Sequence, residues 1–169
     1  IPTSTLAQLQ AITLVQTRQD ITYTAKICTV DRYLEICQEK DVFPVIELKW
    51  GIGLNNNDMT LFPRLYQLIE KHGLEKDAII LTSMQQSIEY IRTNYPRLTC
   101  QWLRHNVKEE DYAWCKQWDV SLSVAHTSIT EEVIIRSKEM GKAVATWTVN
   151  KGADYERVKN IGCKYITTD

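Results

Sequence analysis

Glycine and proline are scarce in this chain, and neither sign of charge is in excess. Its 169 residues contain six Gly, four Pro, 20 Lys and Arg, and 21 Asp and Glu, for a formal net charge of -1. This balance shows no basic excess that would indicate a nucleic-acid or anionic-membrane partner. No apolar run approaches the roughly 18 residues of a membrane-spanning helix. With 44% hydrophobic and 24% charged residues, the composition excludes disordered chains and predicts a single globular domain over residues 1–169.

The five cysteines show no paired spacing. They are Cys28, Cys37, Cys100, Cys115 and Cys163, and no two of them form a CxxC pair. This pattern fits neither a disulfide framework nor a zinc site, so we expect reduced thiols in a cytoplasmic protein. The first residue is isoleucine rather than methionine, so secretion or surface attachment through a preceding signal stays open.

From about residue 30 onward, helical apolar stripes alternate with short apolar strands. Val30, Tyr33, Leu34 and Cys37 form one stripe at helical spacing, and similar stripes recur along the chain. Six strands are predicted, at residues 42–49, 78–83, 98–103, 120–124, 143–149 and 164–167. Strands that are apolar on both faces and alternate with helices predict right-handed βαβ units in a parallel α/β sheet. The residues before 28 predict only a short helix and a connection.

Six strands leave two architectures open. A closed (β/α)₈ barrel takes about 250 residues, or roughly 31 per unit, so this chain has room for about six units. The sheet is therefore either an open doubly wound sheet or most of a TIM-type barrel without its first two units. Ser128 and Glu131 have the spacing of a capping box at the start of a helix near 129–140. Gly73, Gly141 and Gly162 are placed to end helices in the left-handed conformation.

In both architectures, functional side chains gather where the parallel strands end. Glu47 and Lys49 end the strand 42–49, and their spacing of two residues directs both side chains to one side of the sheet. Buried charges are costly unless they pair, bind a metal or meet a charged substrate, and we favour a functional role over a rim ion pair. Trp147 offers a large apolar face near the same edge, although tryptophan in an apolar strand is most often a core residue.

The three histidines differ in their promise as ligand contacts. His72 follows a helix, and we expect it to be an exposed capping residue. His105 and His126 each follow a predicted strand, and we expect His105 in a solvated loop rather than at the mouth of the sheet. His126 is the best substrate-contact candidate of the three, although we favour a structural role for it over that contact. Gly51-Ile52-Gly53 lacks the third glycine of a phosphate-binding loop and predicts a connection at the rim of the sheet.

The order of these features resembles the glycerophosphodiester phosphodiesterase family. Residues 28–34 and 43–49, which read CTVDRYL and FPVIELK, are similar to that family's IPTLEE and IEIK motifs. Residues 143–150 and 162–169, which read AVATWTVN and GCKYITTD, are similar to its ending, in which a WTVN motif is followed by GVDGIITD. The resemblance spans nearly the whole chain and identifies it with units three to eight of the family's barrel.

The resemblance implies an enzyme of lipid and glycerol metabolism with a TIM-type barrel. Such an enzyme hydrolyses a glycerophosphodiester to an alcohol and glycerol 3-phosphate. It implies that Glu47 ligates a divalent cation, Mg²⁺ or Ca²⁺, that Lys49 lies near the phosphate, and that Trp147 lines the glycerol side of the pocket. For Asp169, a residue of the closing strand, it implies no catalytic role.

The family's HRG, ENT, ELD and HD motifs are absent from these residues. These motifs include the histidine pair that acts as general acid and base. We therefore expect no catalytic residue in this chain and no turnover by it alone. Three alternatives stay open: a catalytically silent barrel module that binds glycerol-phosphate lipids or polymers, a phospholipase D toxin of the sphingomyelinase D type, and an unrelated doubly wound binding domain. Bare strand edges would in addition favour a homo-oligomer.

Overall fold

The structure, a computed structural model, describes residues 4–18, 20–49 and 58–169. The strands are β1 (Thr13–Arg18), β2 (Ile21–Lys26), β3 (Val45–Glu47), β4 (Ile79–Thr82), β5 (Thr99–Arg104), β6 (Ser121–Ala125), β7 (Ala145–Trp147) and β8 (Tyr165–Ile166). The helices are α1 (Leu6–Ala11), α2 (Val30–Lys40), α3 (Phe62–Lys71), α4 (Gln85–Asn94), α5 (Glu109–Trp118), α6 (Glu131–Glu139) and α7 (Gly152–Asn160). The predicted segment Gly51-Ile52-Gly53 lies outside the described residues.

Strands β3 to β8 form one parallel sheet in the order of the chain. Val45 pairs with Ile79, Ile79 pairs with Thr99, and the later strands add in the same way. A doubly wound sheet reverses its strand order at a switch point, whereas a barrel does not. The sequential order therefore excludes the doubly wound alternative and confirms an incomplete TIM-type barrel, with six of eight strands among the described residues.

The core lies between this sheet and the helices. Because side chains alternate along a strand, every second residue faces the helices, as Ile80 on β4 and Leu122 on β6 do. Phe62 on α3 and Ile88 on α4 are fully buried against that face. The residues that alternate with them lie on the opposite face of the sheet.

Three helices end just before the predicted glycines, but the start of α6 differs from the prediction. Gly73, Gly141 and Gly162 adopt φ values of 68°, 71° and 89° directly after helices. The N-cap of α6 is Thr130, whose hydroxyl accepts a hydrogen bond from the backbone N–H of Val133. Ser128 instead donates its backbone N–H to Ala125 in the preceding turn. The predicted capping box at Ser128 is therefore wrong, because the helix begins after that turn.

The first described residues form an arm with no buried side chain. The short helix is confirmed as α1, but the predicted connection is an antiparallel hairpin of β1 and β2. Alternating β-branched residues Thr13, Val15 and Thr17 are the sequence signal for it. Arg18 donates a hydrogen bond to the backbone carbonyl of Asp169, which joins the hairpin to the end of the sheet. In the described ranges, no helix has the length and apolar character needed to cross a membrane.

Candidate functional site

A cleft of about 520 Å³ opens at the carboxyl ends of the parallel strands. The side chains that line it follow or end β3, β4, β5, β7 and β8. They are Glu47, Lys49, Leu81, Ser83, Leu103, His105, Trp147, Thr148, Thr167 and Asp169. This edge is where barrel folds of this kind gather functional residues.

Glu47 and Lys49 both line the cleft, as their spacing of two residues predicts. Leu48 between them is buried on the helix side, and its backbone N–H donates to the carbonyl of Leu81 over 2.8 Å. Both charged side chains are exposed at the carboxyl end of the strand. The free-energy cost of burying a charge, which the sequence suggested, therefore does not apply to Glu47 or Lys49. Within the described ranges, neither residue forms an ion pair, so a rim ion pair does not account for them.

Trp147 is held on two sides at the end of β7. Its indole Nε1 donates to the backbone carbonyl of Ser123 on β6, at 3.2 Å. The imidazole of His105 packs against it nearly at right angles, with ring centroids 4.9 Å apart. The half-buried indole thus lies across the end of β6 and reaches the residue that follows β5. Its position in the cleft is determined by these contacts rather than by burial in the core.

Asp169 brings a second carboxylate to the cleft. Asn150 holds it: the Asn150 amide nitrogen donates to the Asp169 carboxylate over 2.8 Å, and its amide oxygen accepts from the Asp169 backbone N–H over 3.1 Å. The resemblance assigned no catalytic role to Asp169. Its spacing of two residues from Thr167, another lining residue, is the signal that would have placed it in the cleft.

Of the three histidines, the structure places His105 in the cleft and His126 outside its lining. The backbone N–H of His126 donates to the carbonyl of Trp147 over 2.7 Å, but its side chain turns toward α7. There its Nδ1 lies 3.9 Å from an Asp154 carboxylate oxygen. His126 is therefore next to the cleft through its backbone, whereas its imidazole faces a different element.

His72 is not the exposed residue that its place after α3 suggested. Its side chain is 9% exposed, and its Nε2 lies 2.8 Å from an Asp31 carboxylate oxygen on α2. Hydrogen bonds from Lys71 and then His72 lower the pKa of the Asp31 carboxyl. His72 therefore has a structural role: it joins α2 to the end of α3 and does not line the cleft.

The cleft does not by itself complete a divalent cation site. In the part of the chain that the structure describes, no group of three or more His, Cys, Asp or Glu side chains could hold a metal ion. Mg²⁺ and Ca²⁺ take six or more oxygen ligands, with carboxylates prominent among them. The cleft offers the carboxylates of Glu47 and Asp169, a donor set that does not fit a cation bound by this chain alone.

The chain is similar in sequence and in fold to known phosphodiesterases. The sequence profile of the glycerophosphoryl diester phosphodiesterase family matches residues 1–169. A glycerophosphodiester phosphodiesterase from Parabacteroides distasonis is 17% identical with a TM-score of 0.79, covering 100% of this chain and 68% of that one. One from Agrobacterium tumefaciens is 13% identical with a TM-score of 0.66, covering 86% and 59%. No curated protein matches.

A more distant structure holds a bound reaction product. It is a phosphodiesterase from Oleispira antarctica in complex with the product sn-glycerol-3-phosphate, 8% identical with a TM-score of 0.56, covering 82% of this chain and 85% of that one. Identities this low show the fold alone. The chain spans between 53% and 68% of the length of the glycerophosphodiester phosphodiesterase structures to which it is similar.

Proposed function

Because the chain belongs to the glycerophosphoryl diester phosphodiesterase family, we propose that its cleft is the substrate-binding part of a glycerophosphodiester phosphodiesterase active site. The reaction uses water to release an alcohol and glycerol 3-phosphate. One observation carries the proposal: Glu47, Lys49 and Trp147, which the family's motifs single out, converge on one cleft at the carboxyl ends of the strands.

Each of the three residues has a distinct task in this proposal. The Lys49 ammonium attracts the phosphate, since a charge-assisted hydrogen bond to a phosphoryl oxygen is stronger than a neutral one. The apolar face of Trp147 packs against the carbon skeleton of the glycerol moiety. Glu47 contributes one carboxylate toward Mg²⁺ or Ca²⁺, and the other ligands come from outside the described residues.

The chain alone is proposed to bind substrate and product without turnover. Its sequence contains none of the HRG, ELD and HD motifs that carry the family's acid, base and remaining metal ligands. Its share of its relatives' length supports the idea that two further βα units supply these groups.

The first experiment measures the affinity of the chain for sn-glycerol 3-phosphate by calorimetry. Replacing Lys49 by methionine should weaken binding at least about tenfold, because a hydrogen bond to a charged group contributes about 1.5–3 kcal/mol and about 1.4 kcal/mol is a factor of ten. Lys76→Met is the matched control, since Lys76 is exposed and precedes β4, at the opposite end of the sheet. Equal weakening by both variants, or none by either, would contradict the assignment of Lys49.

The same titration tests the proposed task of Glu47. With Mg²⁺ or Ca²⁺ present, a protein that also contains the two missing βα units should bind sn-glycerol 3-phosphate more tightly, whereas this chain alone should show no increase. In the longer protein, Glu47→Gln should lose that increase and keep the cation-independent affinity. An increase that survives in Glu47→Gln would remove Glu47 from the proposed cation site.

The second candidate function is a catalytically silent binding module. The absence of a three-ligand metal cluster from the described ranges favours it. Intact mass and peptide mapping of the natural protein separate the two candidates. Peptides with HRG and ELD motifs, together with release of glycerol 3-phosphate from a glycerophosphodiester, support the enzyme. A natural protein that binds glycerol 3-phosphate but lacks these motifs and any turnover supports the module.

A further inference from the structure

His105 reaches the cleft because of the alternation of side chains along β5. Leu103 and His105 line the cleft. Trp102 is buried on the helix side, and Arg104 turns the same way, with its guanidinium 4.4 Å from the Trp102 ring and 3.0 Å from an Asp111 oxygen. The Arg104 guanidinium is thus paired with Asp111 on α5. The imidazole of His105, directly after β5, is the polar side chain from this part of the chain that lines the cleft.

The imidazole is oriented but its nitrogen atoms are not engaged. Its ring packs against Trp147, which is itself held by the carbonyl of Ser123. Within the described ranges, no hydrogen bond or ion pair involves the side chain of His105. A neutral imidazole carries one N–H donor and one acceptor nitrogen. His105 is therefore an exposed, oriented hydrogen-bonding group that is available to a ligand.

The charges of the cleft indicate what that ligand group is. Asp169 follows β8 at the far end of the sheet, while Lys49, Ser83 and His105 follow the three neighbouring strands β3, β4 and β5. Glu47, the other carboxylate, precedes Lys49 at the end of β3. An ammonium, a hydroxyl and an imidazole N–H side by side are donors, and a phosphoryl group offers only acceptor oxygens at neutral pH.

We propose that His105 binds the phosphoryl group of the substrate together with Lys49 and Ser83. The proposal rests on the proposed function and deepens it, because the motifs of the family assign no ligand to this histidine. In this arrangement Trp147 has two tasks: it contacts the glycerol moiety and it orients the His105 ring toward the phosphate.

The chain contains three histidines, so ring C–H resonances in NMR spectra provide an internal control. Adding sn-glycerol 3-phosphate to the full chain should shift the His105 resonances with saturation and leave those of His72 and His126 in place. Inorganic phosphate, which lacks the glycerol moiety that Trp147 contacts, should also shift the His105 resonances. A shift of His126 without a shift of His105, or no shift of His105 with inorganic phosphate, would overturn the proposal.

A variant pair measures the strength of the contact. His105→Phe keeps an aromatic ring against Trp147 and removes the nitrogen donor, and it should weaken glycerol 3-phosphate binding about tenfold. His126→Gln should retain the wild-type affinity. Wild-type affinity in His105→Phe would overturn the role of His105 while leaving the proposed function standing. A wild-type chain that does not bind glycerol 3-phosphate at all would overturn both.

Discussion

Arg92 on α4 holds together two connections at the amino end of the sheet, and its replacement should destabilise the fold strongly. Its Nε donates to the carbonyl of Trp118 over 3.1 Å, and its Nη1 donates to the carbonyls of Pro96 and Leu98 over 2.9 and 2.7 Å. Its Nη2 pairs with Asp119 at 2.9 Å. One guanidinium therefore stabilises both the end of α5 and the segment that leads into β5.

The expected loss follows from these bonds. The Arg92 side chain is 15% exposed, and the hydrogen bonds to Trp118 and Leu98 are partly buried. Hydrogen bonds of this charged kind contribute about 1.5–3 kcal/mol each, whereas the pair with the 64% exposed Asp119 adds about 0–1 kcal/mol. Water replaces part of what is lost, so Arg92→Met, which keeps the apolar stem, should lower the free energy of unfolding by about 2–4 kcal/mol.

Urea unfolding followed by circular dichroism measures this effect. Arg97→Met is the matched control: Arg97 is 67% exposed and lies 3.9 Å from Glu75, so its loss should stay within about 0.5 kcal/mol. Arg92→Lys should recover less than half of the loss, because an ammonium cannot reproduce the planar fork. Equal free energies of unfolding for the Arg92→Met and Arg97→Met variants, at an unchanged slope against urea, would refute the reasoning.

Further predictions concern two thiols and two glycines. Burial raises the pKa of the Cys100 thiol to about 12, so this thiol stays protonated at pH 8. It should therefore resist a thiol reagent until the chain unfolds. Cys28 is exposed and should react at once in the folded protein. Gly162 has φ +89°, and an added Cβ would lie 3.4 Å from the Lys138 amine, so Gly162→Ala should cost about 1–2 kcal/mol in thermal unfolding. Gly152 in α7 has open space around its Cβ position, and Gly152→Ala should instead stabilise by about 0.5 kcal/mol.

The sheet and part of the site could be predicted from sequence because their signals are local. The alternation of apolar stripes and strands depends on residues within one element, and it located all six parallel strands. The spacing of two between Glu47 and Lys49 likewise placed both on one face before any tertiary contact was known. The resemblance to the family added Trp147, whose place in an apolar strand would otherwise indicate a core residue.

What could not be predicted depends on contacts between distant elements. His105 and His126 both follow strands, and nothing local separates them. His126 is drawn away because its backbone bonds to Trp147 and its ring faces Asp154, an α7 residue much later in the chain. The hairpin of β1 and β2 was missed for a different reason. Its turn contains Asp20 in the left-handed conformation rather than the Asn-Gly or Gly-Gly pair that marks such turns in sequence.

The order of the parallel strands has a consequence for how the protein acquires its structure. Each strand from β4 onward pairs with the strand that precedes it in the chain. A nascent polypeptide that leaves the ribosome therefore always finds the edge for its next strand already in place, and no later segment has to be threaded between earlier ones. Synthesis and folding of this sheet can thus proceed in the same direction, one βα unit at a time.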